Sequence, residues 1–150
     1  MRTVYHTDGT QYLLCKESSE SSLIRDPRSG EERYVPNEKL TIADADDSSL
    51  IAAASGVSNP VRTVLTASHN EEALGLLVEL TDREGLSVVA MIDAYDYCES
   101  DLNGQLAEFR AAGLITEAEI YGERGYEPTE MTKSAIESLR SLPQQSVVNS

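Results

Sequence analysis

The stretch "SDLNGQLAEFRAAGLI", Ser100 to Ile115, constrains the fold more than any other part of the chain. Leu102, Leu106 and Phe109 recur at the spacing that lines one face of a helix, Ser100 stands where an N-cap is wanted, and Gly113 supplies a left-handed stop. Directly afterwards the period changes. "LITEAEIYGERGYEPTE" alternates as strands do, and Gly122-Glu-Arg-Gly125 reads as the loop that reverses it. The pattern predicts a helix over about 100–112 feeding into a hairpin over about 114–128.

Helical patterns stand on both sides of this pair. Asn59-Pro60 offers a cap followed by proline in the first turn, which opens a helical region. Asn70, before Glu71 and Glu72, caps a longer helix to about Arg83. Its apolar residues Ala73, Leu74, Leu76, Leu77, Val78 and Leu80 are too many for one stripe, so burial on more than one side is expected. Ser87 caps "VVAMIDAY". The last helix, "MTKSAIESLRSL", places Met131, Ala135, Leu139 and Leu142 on one side, and the tail beyond Pro143 is expected to be disordered.

The first 43 residues read as β structure. In "RTVYHTDGTQYLLCK" Asp8-Gly9 suits a two-residue type I′ hairpin, which would pair Tyr5 with Tyr12, Val4 with Leu13 and His6 with Gln11. A second hairpin is expected around Pro27 and Gly30, joining Leu23-Ile24 to Tyr34-Val35. Together they make a sheet of three or four strands. The fold class expected is therefore α+β: an antiparallel β module over 1–43, an acidic connector with a short helix, "LIAAASG", over 44–58, a helical and hairpin domain over 59–142, and a tail over 143–150.

Composition narrows the function. Acids number 26 against 12 bases, for a net charge of −14, and only Lys16, Lys39 and Lys133 among the bases are lysines. Acid excess with lysine scarcity reads as the surface of a salt-adapted protein, because at about 1 M salt the Debye length falls to about 3 Å and self-repulsion fades. The alternative is an acidic protein of an ordinary cell that avoids nucleic acid, and nine arginines to three lysines favour the first. The two cysteines, Cys15 and Cys98, stand in no C-x-x-C pair and near no histidine at ligand spacing, so neither a disulfide framework nor a metal site is expected. Neither a secretion signal nor a membrane span is legible, and a cytoplasmic location is expected. There is no phosphate-binding glycine loop, no G-x-S-x-G elbow and no HExxH. His6 and His69 are the only histidines, and no catalytic residues, cofactor or enzymatic activity are expected.

The order helix, helix, helix, hairpin, helix resembles the winged helix-turn-helix domains of bacterial and archaeal regulators of the MarR and ArsR types. "LAEFRAAGLI" resembles the end of a recognition helix running into a wing. "GERGYEPTEMTKSAIESL" is similar to the wing and the start of the last helix, although Pro128 stands where leucine is usual. "EEALGLLVELTDREGLSVVAMIDAYDYCESDL" resembles the preceding helices. The whole chain, including "IRDPRSGEERYVPN", looks like an uncharacterised family of haloarchaeal winged-helix proteins. The resemblance implies a transcription regulator that binds double-stranded DNA, working as a homodimer.

The charge of the implied DNA-binding region runs against that function. From Val61 to Arg140 six bases meet sixteen acids, a net of −10, whereas nonspecific DNA affinity comes from basic side chains releasing counterions. Projected at 100° per residue, the expected recognition helix turns Ser100, Gly104, Ala107 and Ala111 outward with Glu108 beside them, Asn103 and Arg110 on one flank and Asp101 and Gln105 on the other. Three readings stay open. Gly104 and Ala107 allow close approach to DNA while Asn103 and Gln105 read base edges; or the Gly104, Ala107 and Ala111 ridge receives a protein partner; or the face is simply solvated. Arg124, between two glycines at the expected wing tip, is placed to enter a minor groove. Arg110 is a candidate for DNA or for pairing with Glu108 or Glu117, and Lys133 for a phosphate or for solvent. Cys98 either senses oxidation or is an ordinary small hydrophobe.

Overall fold

The computed structural model describes residues 1–43 and 48–143. They fall into two compact units, Met1–Asn59 and Pro60–Ser150. The acidic run 44–47 of the expected connector and the tail 144–150 lie outside the described residues.

The first unit is an antiparallel sheet of five strands: β1 (Arg2–His6), β2 (Gln11–Lys16), β3 (Ser21–Arg25), β4 (Glu32–Pro36) and β5 (Leu40–Ile42), in the order β4-β3-β2-β1-β5. The sequence predicts three or four strands. The fifth forms because a single 3-10 turn at Asn37–Lys39 returns the chain to the free edge of β1, where Val4 meets Ile42.

The first hairpin also differs by one residue from the expected register. Val4 pairs with Tyr12 and Tyr5 with Gln11, because the loop has three residues instead of two. His6 N–H donates to the Thr10 carbonyl at 2.9 Å, and of the two central residues only Gly9 has positive φ, at 88°. Asp8 holds the turn by accepting the Thr10 N–H at 2.8 Å, the three-residue arrangement in which glycine takes the left-handed position. Side chains alternate along a strand, so this shift decides which pairs share a face. Val4 and Tyr12 enter one core with Leu14, Ile24 and Val35, while Tyr5 stays exposed. The second hairpin has the expected partners, with Leu23 opposite Tyr34. A short helix, α1 (Ser49–Ala54), capped by Ser48, packs on β1 and β2 and buries Ala52.

The second unit has the winged helix-turn-helix architecture. Its elements are α2 (Asn59–Ala67), α3 (Glu71–Asp82), β6 (Leu86–Ser87), α4 (Val88–Ala94), α5 (Glu99–Ala111), β7 (Ile115–Ile120), β8 (Glu123–Pro128) and α6 (Glu130–Arg140). The caps follow the sequence at two helices: Asn70 accepts the Ala73 N–H and Ser87 the Ala90 N–H. Leu76, Leu77 and Leu80 of α3, Met91 of α4, Leu102, Leu106 and Phe109 of α5, and Ala135 and Ile136 of α6 form one core. Each large side chain buried there contributes about 1.5–3 kcal/mol. Among the described residues no helix is long and apolar enough to cross a membrane.

Three details depart from expectation. β6 pairs with β8 to make a three-stranded sheet, β6-β8-β7; two residues are too short to show alternation. Helix α5 starts at Glu99, so Ser100 lies inside its first turn and Cys98 holds the cap position without a side-chain bond. Leu142 lies past the end of α6 and is exposed; Met131 and Leu139 pack on the core as expected beside buried Ala135, and Thr132 and Ile136 join them inward. The Thr132 hydroxyl donates to the Leu114 carbonyl at 2.6 Å, so a buried polar residue ties α6 to the end of α5.

Candidate nucleic-acid interface

Helix α5 is the element on which the site is built. Leu102, Leu106 and Phe109 hold it by one face, and Gly113, at φ 79°, ends it so that Leu114 and Ile115 turn at once into β7. The opposite face is exposed at Ser100, Asn103, Gly104, Ala107 and Ala111. At Gly104 even a Cβ would meet nothing within 4 Å.

The wing is tighter than its sequence predicts. The turn is Tyr121-Gly122, both with positive φ, at 51° and 81°, and Glu123 already pairs with Ile120. This is the two-residue type I′ geometry that matches strand twist. Arg124 is therefore not at the tip. It lies within β8 opposite Glu119. Gly125 serves packing instead of turning: a Cβ there would stand 2.4 Å from the Leu86 carbonyl oxygen and 2.8 Å from the Ser87 Cα. The tip belongs to Tyr121, a fully exposed aromatic in a conformation that bulky residues seldom adopt. Only the lack of an Asn-Gly or Asp-Gly pair in this hairpin hints at it in the sequence.

Between α5 and β8 lies an open groove of about 520 Å³, lined by Asn103, Ala107, Arg110 and Ala111 from the helix and Arg124 and Tyr126 from the wing. Strand alternation puts Glu117 opposite Tyr126 and Glu119 opposite Arg124, on that same face of the hairpin. The two arginines are already engaged. Arg110 donates to Glu117 at 3.0 Å, which decides between its two candidate acids. Arg124 donates to the Tyr126 hydroxyl at 3.0 Å, with its guanidinium 5.9 Å from the ring centre. That bond to Tyr126 and, after it, the charge of Glu117 raise the Arg124 pKa.

The groove thus brings together Asn103, Ala107, Arg110 and Arg124 and adds Tyr126. Four expected residues lie elsewhere. Gln105 is half-buried, and its amide donates to the Ala67 carbonyl at 3.3 Å; it holds α2 and is not turned to a ligand. Ser100 sits at the start of α5, its hydroxyl 3.2 Å from the Cys98 sulfur. Gly104 is on the outer ridge, and Lys133 on α6 meets Glu130 at 3.3 Å. His69 and Glu108 pair across the outer side of α5. Cys98 is exposed, and bonds from the Ser100 hydroxyl and then from backbone N–H groups lower its pKa.

The architecture defines a winged helix-turn-helix unit preceded by a small antiparallel β unit. The chain belongs to a family of unknown function, DUF7346, whose pattern it matches over residues 1–140. Among solved structures it is similar to the crystal structure of a transcriptional regulator HlyU from Vibrio vulnificus CMCP6. That likeness has 30% sequence identity, a TM-score of 0.46, and covers 55% of this chain and 85% of the other. No curated protein sequence matches it.

Proposed function

We propose that the second unit is a DNA-binding regulatory domain that operates as a homodimer in a salt-rich cell. In this reading α5 enters the major groove by its bare outer ridge and the wing lies along the adjoining backbone. The observation that carries the reading is the α5–β8 groove, where an amide, two guanidiniums and a phenol border a helix face with almost no side chains of its own. Asn103 then reads a base edge, Gly104 and Ala107 permit close approach, Arg124 meets a phosphate, and Arg110 does so once Glu117 lets go. Tyr121 meets the backbone or minor groove from the tip.

A second reading is favoured by the pairing of the bases. Arg83, Arg110, Lys133 and Arg140 each face a carboxylate within 4 Å, and such a surface suits a protein partner seated on Gly104, Ala107 and Ala111. Titration of labelled genomic duplexes in about 1 M potassium chloride with three variants separates the readings. On the DNA reading, Arg124→Ala weakens binding to most sequences, Asn103→Ala changes the preference between sequences, and Glu117→Gln strengthens binding several-fold by releasing Arg110. Identical DNA behaviour in all three variants and the parent protein would sink the reading.

A further inference from the structure

A separate cavity of about 360 Å³ lies between α3 and the turn that joins α4 to α5. Glu72, Gly75, Leu76 and Glu79 line it from the helix, and Tyr95, Asp96 and Tyr97 from the turn. Its size is within the range of small-molecule sites.

Three observations define what it suits. Gly75 is the first. Glycine is disfavoured inside a helix, yet a Cβ at Gly75 would meet nothing within 4 Å. No neighbour requires glycine there, and the cavity wall carries no side chain at that position.

The second is charge. Three carboxylates border the cavity, and only Glu79 is engaged, accepting the Tyr95 hydroxyl at 2.8 Å and facing Arg83 at 3.6 Å. Glu72 and Asp96 have no ion pair among the described residues. Burial and then the charges of Glu72 and Asp101 push the Tyr97 phenol up, and burial and then Glu79 do the same for Tyr95. The cavity is short of positive charge.

The third is spacing. Among the described residues no three acids, histidines or cysteines stand close enough together to hold a metal ion. A small hard cation needs oxygens that converge at about 2.0–2.6 Å. These carboxylates instead share the cavity lining with Leu76 and two half-buried tyrosines. A charge spread over methyl or methylene groups matches that lining, and aromatic rings attract such cations.

We infer that the cavity binds a small organic cation, a quaternary ammonium or protonated amine of about choline's size. Tyr97 adjoins Cys98, the cap position of α5, so the occupant touches the turn that aims that helix. The inference does not rest on the DNA reading.

The test is an NMR titration of the full chain with choline chloride and with 3,3-dimethyl-1-butanol, its uncharged isostere, at ionic strength held constant with potassium chloride. Choline is expected to produce saturable shifts at the Gly75, Asp96 and Tyr97 amides, with the isostere about tenfold weaker. Gly75→Leu should abolish the shifts by filling the cavity. Asp96→Asn, a change on the surface that leaves packing alone, should weaken choline without affecting the isostere. No saturable shift, an equal response to both compounds, or an undiminished response in both variants would overturn the inference.

Discussion

The two units of this chain carry equal numbers of bases and differ in how many acids accompany them. Residues 1–59 hold six bases and ten acids, a net of −4, whereas residues 60–150 hold six bases and sixteen acids, a net of −10. In the β unit, Arg28 and Arg33 lie over the ring of buried Tyr12, 5.9 and 5.5 Å from its centre. In the winged unit one arginine, Arg124, lies by a ring, while Arg83, Arg110 and Arg140 meet carboxylates, Arg140 in a two-bonded pair with Asp82 at 2.8 Å. The difference teaches that the apolar positions which build a DNA-reading shape are independent of the surface charge that ordinarily accompanies it. Here the winged-helix elements are present and the charge is acidic, so the proposed meeting with DNA depends on the solvent.

The largest expected effects come from breaking each unit separately. Gly56 lies against the β unit's second hairpin, where a Cβ would stand 1.9 Å from the Pro27 carbonyl oxygen; Gly125 lies against β6. Gly56→Val and Gly125→Val should each cost about 4 kcal/mol or more. Amide hydrogen exchange should show protection lost in the β unit for the first and in the winged unit for the second. Protection lost throughout the chain in either variant would mean that the two units do not unfold separately.

Next in size is the response to salt. Transferring the protein from about 1 M salt to about 0.01 M lengthens the Debye length from about 3 to about 30 Å. Self-repulsion then acts chiefly on the winged unit, whose exchange should quicken by at least an order of magnitude while the β unit changes little. An equal loss in both units would break the electrostatic contrast.

The smallest effect is at the wing tip. Tyr121 occupies a left-handed conformation that Asn tolerates better, so Tyr121→Asn should stabilise the winged unit by up to about 1 kcal/mol in denaturant unfolding. Since the fully exposed ring packs against nothing, the same variant should bind DNA less well. Lower stability would show that the ring serves the fold.

Much of this arrangement is legible in the residues. Helix α5 and its stop, the caps at Asn70 and Ser87, and the two N-terminal hairpins follow from periodicity and turn chemistry, which act over a few neighbouring positions. What sequence misses is decided at longer range. The register of β1 and β2 depends on whether the loop has two residues or three, and Asp-Gly permits both. Arg124 reads as a loop residue because glycines flank it, but Gly125 is there to let β6 approach β8. Gln105 reads as exposed on a helical projection, and only the position of Ala67 shows where its amide goes. The α3 cavity is invisible because its wall joins residues about twenty positions apart.

The most direct test of the central claim is the salt dependence of DNA binding by the unmodified protein. Fluorescence anisotropy with labelled genomic duplexes should show saturable binding at about 1 M potassium chloride and weaker binding as the salt is diluted, the reverse of the slope that counterion release imposes on basic proteins. No binding at any salt concentration, or affinity that rises on dilution, would contradict it.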